Sequence, residues 1–216
     1  MKNSLYYFFV ICCFLPGVLT AQENAPSMNF SIYGGAALPQ GDFSGTTGDK
    51  AGYAKTGFCA MVEGAKSLNE SVNWVSSISL ALNSMDETTI ENQMSGPSVS
   101  AGSYITTWAM TGVGFETVAS PTVKIYGVAQ LGLLLSSFPD VTISYGGVSV
   151  TQTTKMGTAF AFGFGAGVLI NRFNIGLRYY TGEPEYEESA SYGGISSTVK
   201  VKLPATILQL MVGFSL

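Results

Sequence analysis

Phe160-Ala161-Phe162-Gly163-Phe164-Gly165-Ala166-Gly167-Val168-Leu169-Ile170 is the stretch that decides the fold. Its even positions carry Phe160, Phe162, Phe164, Ala166, Val168 and Ile170, and its odd positions Ala161, Gly163, Gly165, Gly167 and Leu169. A period of two means a strand, because successive side chains point to opposite faces. One face is apolar and mostly bulky; the other is largely glycine and alanine. A soluble antiparallel sheet sets polar groups opposite its apolar face, and this strand does not.

The composition agrees. Charged residues make up 11% of the 216, against about 25% in soluble domains, too few to cover a water-exposed surface. No run of about 18 apolar residues occurs in the body of the chain, so helical spans are excluded. A closed barrel of strands is the other structure that satisfies its backbone in lipid.

The N-terminus reads separately. Lys2, the apolar run from Leu5 to Leu15, then Pro16-Gly17 and Leu19-Thr20-Ala21 form a secretory signal with cleavage expected before Gln22. The domain plan is signal peptide 1–21, a short segment 22–27 and a barrel domain 28–216. Lys2 leaves with the signal, so ten basic residues against 14 acidic become fewer still, and nothing is basic enough for nucleic acid. Cys12 and Cys13 leave too. Cys59 is then alone and reads as a small wall residue.

Eight alternating segments follow, at about 28–38, 53–65, 72–85, 104–118, 122–138, 156–170, 173–182 and 198–216. The connections run long, short, long, short, long, short, long. Each segment reaches the roughly 9–11 residues needed to cross a bilayer at a tilt. Pro204 cannot donate to a ladder and is placed at a bulge or above the lipid. Short turns on the periplasmic side and long loops outside are the pattern of outer-membrane barrels. The expected fold is an all-β, eight-stranded antiparallel up-and-down transmembrane β-barrel.

Over about 28–216 the chain resembles the small eight-stranded OmpA/OmpX-type outer-membrane proteins, in architecture and in its Gly-rich alternating strands. The resemblance implies insertion by the barrel-assembly machinery, which in that family reads an aromatic residue closing the last strand. Here Phe214 lies two residues before Leu216, on the same face. No wall-binding domain is expected after the eighth strand. The competing reading is a soluble lipocalin-like carrier, with the bulky face turned inward around a ligand.

The chain contains no histidine. That removes the acid-base element of Ser-His-Asp chemistry and the commonest metal ligand. Outer-membrane acyltransferases, deacylases, phospholipases and aspartyl-protease-like enzymes resemble one another in needing that residue, so the expectation is no enzyme, no cofactor and no metal. Strand parity puts Glu63, Glu116, Lys124 and Arg178 inside. Opposite charges at similar depth should pair, because an isolated buried charge is costly. The result is an ion-pair plug or, alternatively, a narrow gate for ions. An eight-stranded barrel is just wide enough for side chains to fill, which rejects a general diffusion pore.

One repeat marks the outer loops. Ser144-Tyr145-Gly146-Gly147-Val148-Ser149 recurs as Ser191-Tyr192-Gly193-Gly194-Ile195-Ser196. Each copy is a hairpin signal, and together they could raise a small sheet above the membrane with Tyr145 and Tyr192 at its tips. That sheet is a candidate surface for a protein partner or a glycan. Glu183, Glu185, Glu187 and Glu188 form either a solvated acidic loop facing lipopolysaccharide headgroups or a Ca²⁺ site. Trp74, Phe173, Tyr179 and Phe214 suit interfacial girdles. The expected protein is a monomer in the outer membrane of a Gram-negative bacterium.

Overall fold

A computed structural model describes residues 28–94, 96–154, 156–192 and 195–216, with backbone alone for 188–199. Residues 1–27, which hold the expected signal peptide and short segment, together with Gly193, Gly194 and the Tyr192 side chain, fall outside that description. Eight strands form the wall: β1 (Met28–Pro39), β2 (Gly57–Ser67), β3 (Val72–Ser84), β5 (Ser103–Ser120), β6 (Val123–Ser137), β9 (Gly157–Ile170), β10 (Phe173–Gly182) and β13 (Ala205–Ser215). Every neighbouring pair is antiparallel, and β1 pairs with both β2 and β13, which closes the sheet.

The closure is staggered. Paired residues traced around the wall run Leu169, Asn174, Gly213, Tyr33, Met61, Ser79, Trp108, Leu134, and return to β9 at Ala159. That return is ten residues from the start, the shear that tilts the strands around the axis. It also means that side chains level with one another in the lumen are not partners in the ladder.

The outward face is apolar. Phe160, Phe162 and Phe164 are 64, 50 and 57% exposed, while Ala161 between them is fully buried. Outward hydroxyls satisfy one another rather than meeting lipid unpaired. Ser76 and Thr111 are 2.8 Å apart and Thr181 and Thr206 2.9 Å. The aromatic residues expected in girdles do face outward, and Phe173 and Phe214 meet edge-on at 5.6 Å at the short-turn end.

Three connections differ from the sequence reading. Strand two begins at Gly57, not Tyr53, because Tyr53 takes a left-handed φ of 51° and its hydroxyl bonds Gln93. The loop after β3 holds a helix, α1 (Glu87–Met94), and a short strand, β4 (Ser98–Ala101). Asp86 starts that helix by accepting from the Thr89 backbone N–H and hydroxyl at 3.3 and 2.8 Å. The hydroxyl bond holds the Asp86 carboxyl below its ordinary value. The eighth strand is interrupted at 203–204: β12 (Ile195–Lys202) leaves the wall and pairs with β11 (Glu185–Tyr192). Pro204 stands at that break, where no ladder donor is required.

Above the wall the sheet continues from β9 into β11 and extends outward in the order β12, β11, β8 (Val148–Thr154), β7 (Val141–Tyr145), β4. Gly146 and Gly147 join β7 to β8 with φ of 59° and 82°, a two-residue turn whose left-handed pair requires residues such as glycine.

Candidate functional site

The lumen is built in layers. At the short-turn end is a polar cup of about 280 Å³, with Asn29, Asn73, Glu116 and Lys124 in its walls. Its ceiling is a hydrogen-bonded network. Arg178 Nη2 donates to Glu63 Oε1 and Oε2 at 3.3 and 3.1 Å, and the Tyr33 hydroxyl donates to Glu63 Oε1 at 3.1 Å. Asn174 Nδ2 donates to the Tyr33 oxygen at 2.9 Å and its Oδ1 accepts from the Tyr126 hydroxyl at 2.7 Å. The Arg178 guanidinium carbon lies 5.1 Å from the Tyr126 ring centroid, within cation–π range. Arg178 is fully buried and Glu63 is 8% exposed.

The glycines of β9 make this network possible. A Cβ on Gly165 would strike Arg178, one on Gly163 the Tyr180 ring, and one on Gly167 the Tyr126 hydroxyl. The bare face that set this strand apart from a soluble one is the space into which β10 and β6 send their large polar side chains.

Above the ion pair large aromatic and aliphatic side chains join buried polar ones such as Ser79, Gln209 and Asn83. Trp108 and Tyr180 stack at 5.4 Å, and the Tyr180 hydroxyl donates to Met61 Sδ at 3.6 Å. Met211, Leu134 and Ile207 are fully buried with them. Phe43, from the first outer loop, is 2% exposed and meets Tyr104 edge-on at 4.9 Å. Tyr104 in turn donates to the Gly52 carbonyl at 2.7 Å, so that loop is tied into the barrel mouth.

The four inward charges thus form two separate pairs. Arg178 and Glu63 sit in the ceiling, on strands separated by β1 and β13. Lys124 Nζ and Glu116 Oε1 are 2.9 Å apart in the cup wall, with side chains 43 and 27% exposed. Cys59 is buried in the wall and forms no disulfide among the described residues. Parity placed Tyr33, Tyr126 and Tyr180 on inner faces but did not mark them as members of a network. Trp108, whose inward direction follows from Phe115 facing out, supplies more of the filling than any charge.

In the outer sheet, Tyr145 is 70% exposed at the β7–β8 tip, with Val148 and Val150 beside it. The opposite face carries hydroxyl pairs, Thr142–Thr151 at 2.9 Å and Ser144–Ser149 at 2.7 Å. One sheet edge is blocked: Glu91 and Glu87 of α1 accept from the β4 N–H groups of Val99 and Ala101 at 2.8 and 2.5 Å. Carboxylates on an edge guard it against pairing with another chain. Lysines draw the acidic loop apart. Lys50 bonds Glu183 at 2.8 Å and Lys200 bonds Glu185 at 2.6 Å, and each bond holds its carboxyl below the ordinary value. Among the described residues no group of three His, Cys, Asp or Glu is arranged to hold a metal ion.

No protein-family model and no curated protein matches the sequence. Solved structures do. A major outer membrane protein from Thermus thermophilus superposes with a TM-score of 0.52 at 10% identity, covering 88% of this chain and 100% of that one. Ail, the attachment invasion locus protein of Yersinia pestis, gives 0.48 at 14% identity over 89% of this chain and 99% of Ail. Outer membrane protein W of E. coli gives 0.38 at 14% identity over 90 and 100%. At such identities a likeness speaks of fold alone, and the first of these carries it. Closed on itself through β1 and β13, the chain has the fold of the small eight-stranded outer-membrane β-barrels.

Proposed function

We propose that this chain is a non-enzymatic integral protein of the bacterial outer membrane, exported with a cleaved signal and inserted by the barrel-assembly machinery. Its barrel is a sealed pedestal, and its outer sheet is the working surface. One observation supports this reading: two buried layers fill the lumen, the Glu63–Arg178 network and the Trp108–Tyr180 stack above it. The parts left to meet another molecule outside are the loops and the β7–β8 hairpin. The apolar outer wall and the likeness to an outer-membrane protein support the location. Tyr145 with its apolar neighbours on one face, and hydroxyl pairs on the other, suit a protein partner or a glycan.

Two measurements test it. In planar bilayers the protein should give no steady openings. Glu63→Gln should leave the current at baseline, since a channel would also have to displace the aromatic stack. Large steady conductance in either protein refutes the sealed pedestal. Shortening the β7–β8 hairpin to its base should reduce attachment of the producing cells to protein- or glycan-coated surfaces and leave the barrel's heat-dependent gel mobility intact. Unchanged attachment to every surface refutes the presenting role.

A further inference from the structure

The outer wall carries one charge. Among the eight wall strands, Glu63, Glu116, Lys124 and Arg178 point inward, and Lys66, near the end of β2, points outward. Lys66 pairs across the ladder with Trp74 on β3 and with Met28 on β1. Directly opposed residues of neighbouring strands lie on one face, with Cβ atoms about 4.5–5.5 Å apart. Trp74 is 44% exposed on that face. Neither the Lys66 ammonium nor the Trp74 indole N–H has a hydrogen-bond or ion-pair partner among the described residues. Glu70, on the turn beyond β2, makes no ion pair with Lys66.

Both groups are donors, side by side, where the apolar band meets the short turns. A lone ammonium on a lipid-facing wall is costly unless its stem lets the charge reach the interface and a counter-ion there. An indole at that depth also turns its N–H to the headgroup level. We propose that Lys66 and Trp74 form a binding site for the phosphodiester of an anionic glycerophospholipid in the leaflet on the short-turn side. The ammonium supplies the charge, the indole N–H a second donor, and the acyl chains lie along the apolar wall that includes Phe30 and Val113. The lipid is favoured over free phosphate because the donors flank apolar surface that only a lipid would cover. This site rests on the membrane-barrel reading above.

The test uses the chain's own fluorescence. It has two tryptophans; Trp108 is buried in the lumen, so Trp74 is the one against lipid. The full chain is placed in phosphatidylcholine vesicles containing a small fraction of brominated phosphatidylglycerol or, in parallel, of brominated phosphatidylcholine. The brominated phosphatidylglycerol should concentrate at Trp74 about fivefold over its bulk fraction, the ratio expected from one lysine at an anionic surface. Lys66→Gln should abolish that excess and Lys66→Arg should keep it. Equal quenching by the two lipids, or an excess that survives Lys66→Gln, overturns the site while the membrane reading stands. No quenching by either lipid overturns both. Relief of the excess by added inorganic phosphate overturns the lipid assignment and gives the donors to the free ion.

Discussion

Gly165→Val is expected to abolish the folded barrel. A Cβ at that position would lie 2.7 Å from Arg178 Nη1 and 2.8 Å from the Leu177 carbonyl oxygen, and closer still to Arg178 Cδ. The carbonyl belongs to the neighbouring strand and cannot move without opening the β9–β10 ladder. The guanidinium is pinned by Glu63 and Tyr126. Overpacking a filled interior costs about 1–3 kcal/mol, and tearing one member from a buried ion pair about 3–5 more. Together these rival the whole stability of a typical domain, about 5–15 kcal/mol. After refolding in detergent micelles, the variant should show no heat-dependent shift in gel mobility. Gly34→Val is the control. Gly34 lies on the outward face of β1, and a Cβ there meets nothing within 4 Å, so the shift should be kept. If the two variants fold alike, the glycines of β9 are not there to house Arg178.

This contrast also marks what the sequence carries and what it withholds. Alternation identifies the wall strands, and the lipid face follows once Phe160, Phe162 and Phe164 are set against a glycine-rich opposite face and a chain with 11% charged residues. The same alternation shows glycines at 163, 165 and 167 without saying what fills the space in front of them. The answer lies on β10 and β6, in Tyr180, Arg178 and Tyr126. Parity puts Glu63 and Arg178 inside for the same reason. Their pairing depends on the ten-residue stagger of closure, which brings β2 and β10 level across two intervening strands, and no local pattern encodes that.

In the outer region, legibility follows how local the signal is. Gly146-Gly147 between β-formers fixes a turn within its own six residues. The helix α1 has no apolar stripe, with Ile90 and Met94 its one pair of apolar positions, and its start is marked by the Asp86–Thr89 bonds alone. The last strand misleads in the opposite direction. Alternation runs from Thr198 to Leu216, so periodicity joins β12 to β13, although Leu203-Pro204 breaks the chain into an outer piece paired with β11 and a wall piece paired with β1 and β10.

The Glu63–Arg178 pair should behave as a unit. Arg178→Leu leaves Glu63 charged, 8% exposed, with the Tyr33 hydroxyl as its remaining donor. Stranding one partner of a buried pair costs about 3–5 kcal/mol. Glu63→Leu strands Arg178 in the same way, with the Tyr126 hydroxyl and the Leu177 carbonyl as its remaining acceptors. Replacing both at once removes both desolvation penalties and leaves Tyr33 still bonded to Asn174, so most of the loss should return. Urea midpoints for refolding into lipid vesicles measure the three variants, and a coupling of about 2 kcal/mol or more between the sites is expected. Additive losses would mean that the two charges act independently and that the stack above them seals the barrel unaided. Glu116→Gln, which breaks the pair in the cup wall, supplies the scale. Its partners are 27 and 43% exposed, and a pair that open to water is worth about 0–1 kcal/mol. The stability of the barrel therefore rests on the first pair and tolerates loss of the second, although the sequence presents all four charges as equals.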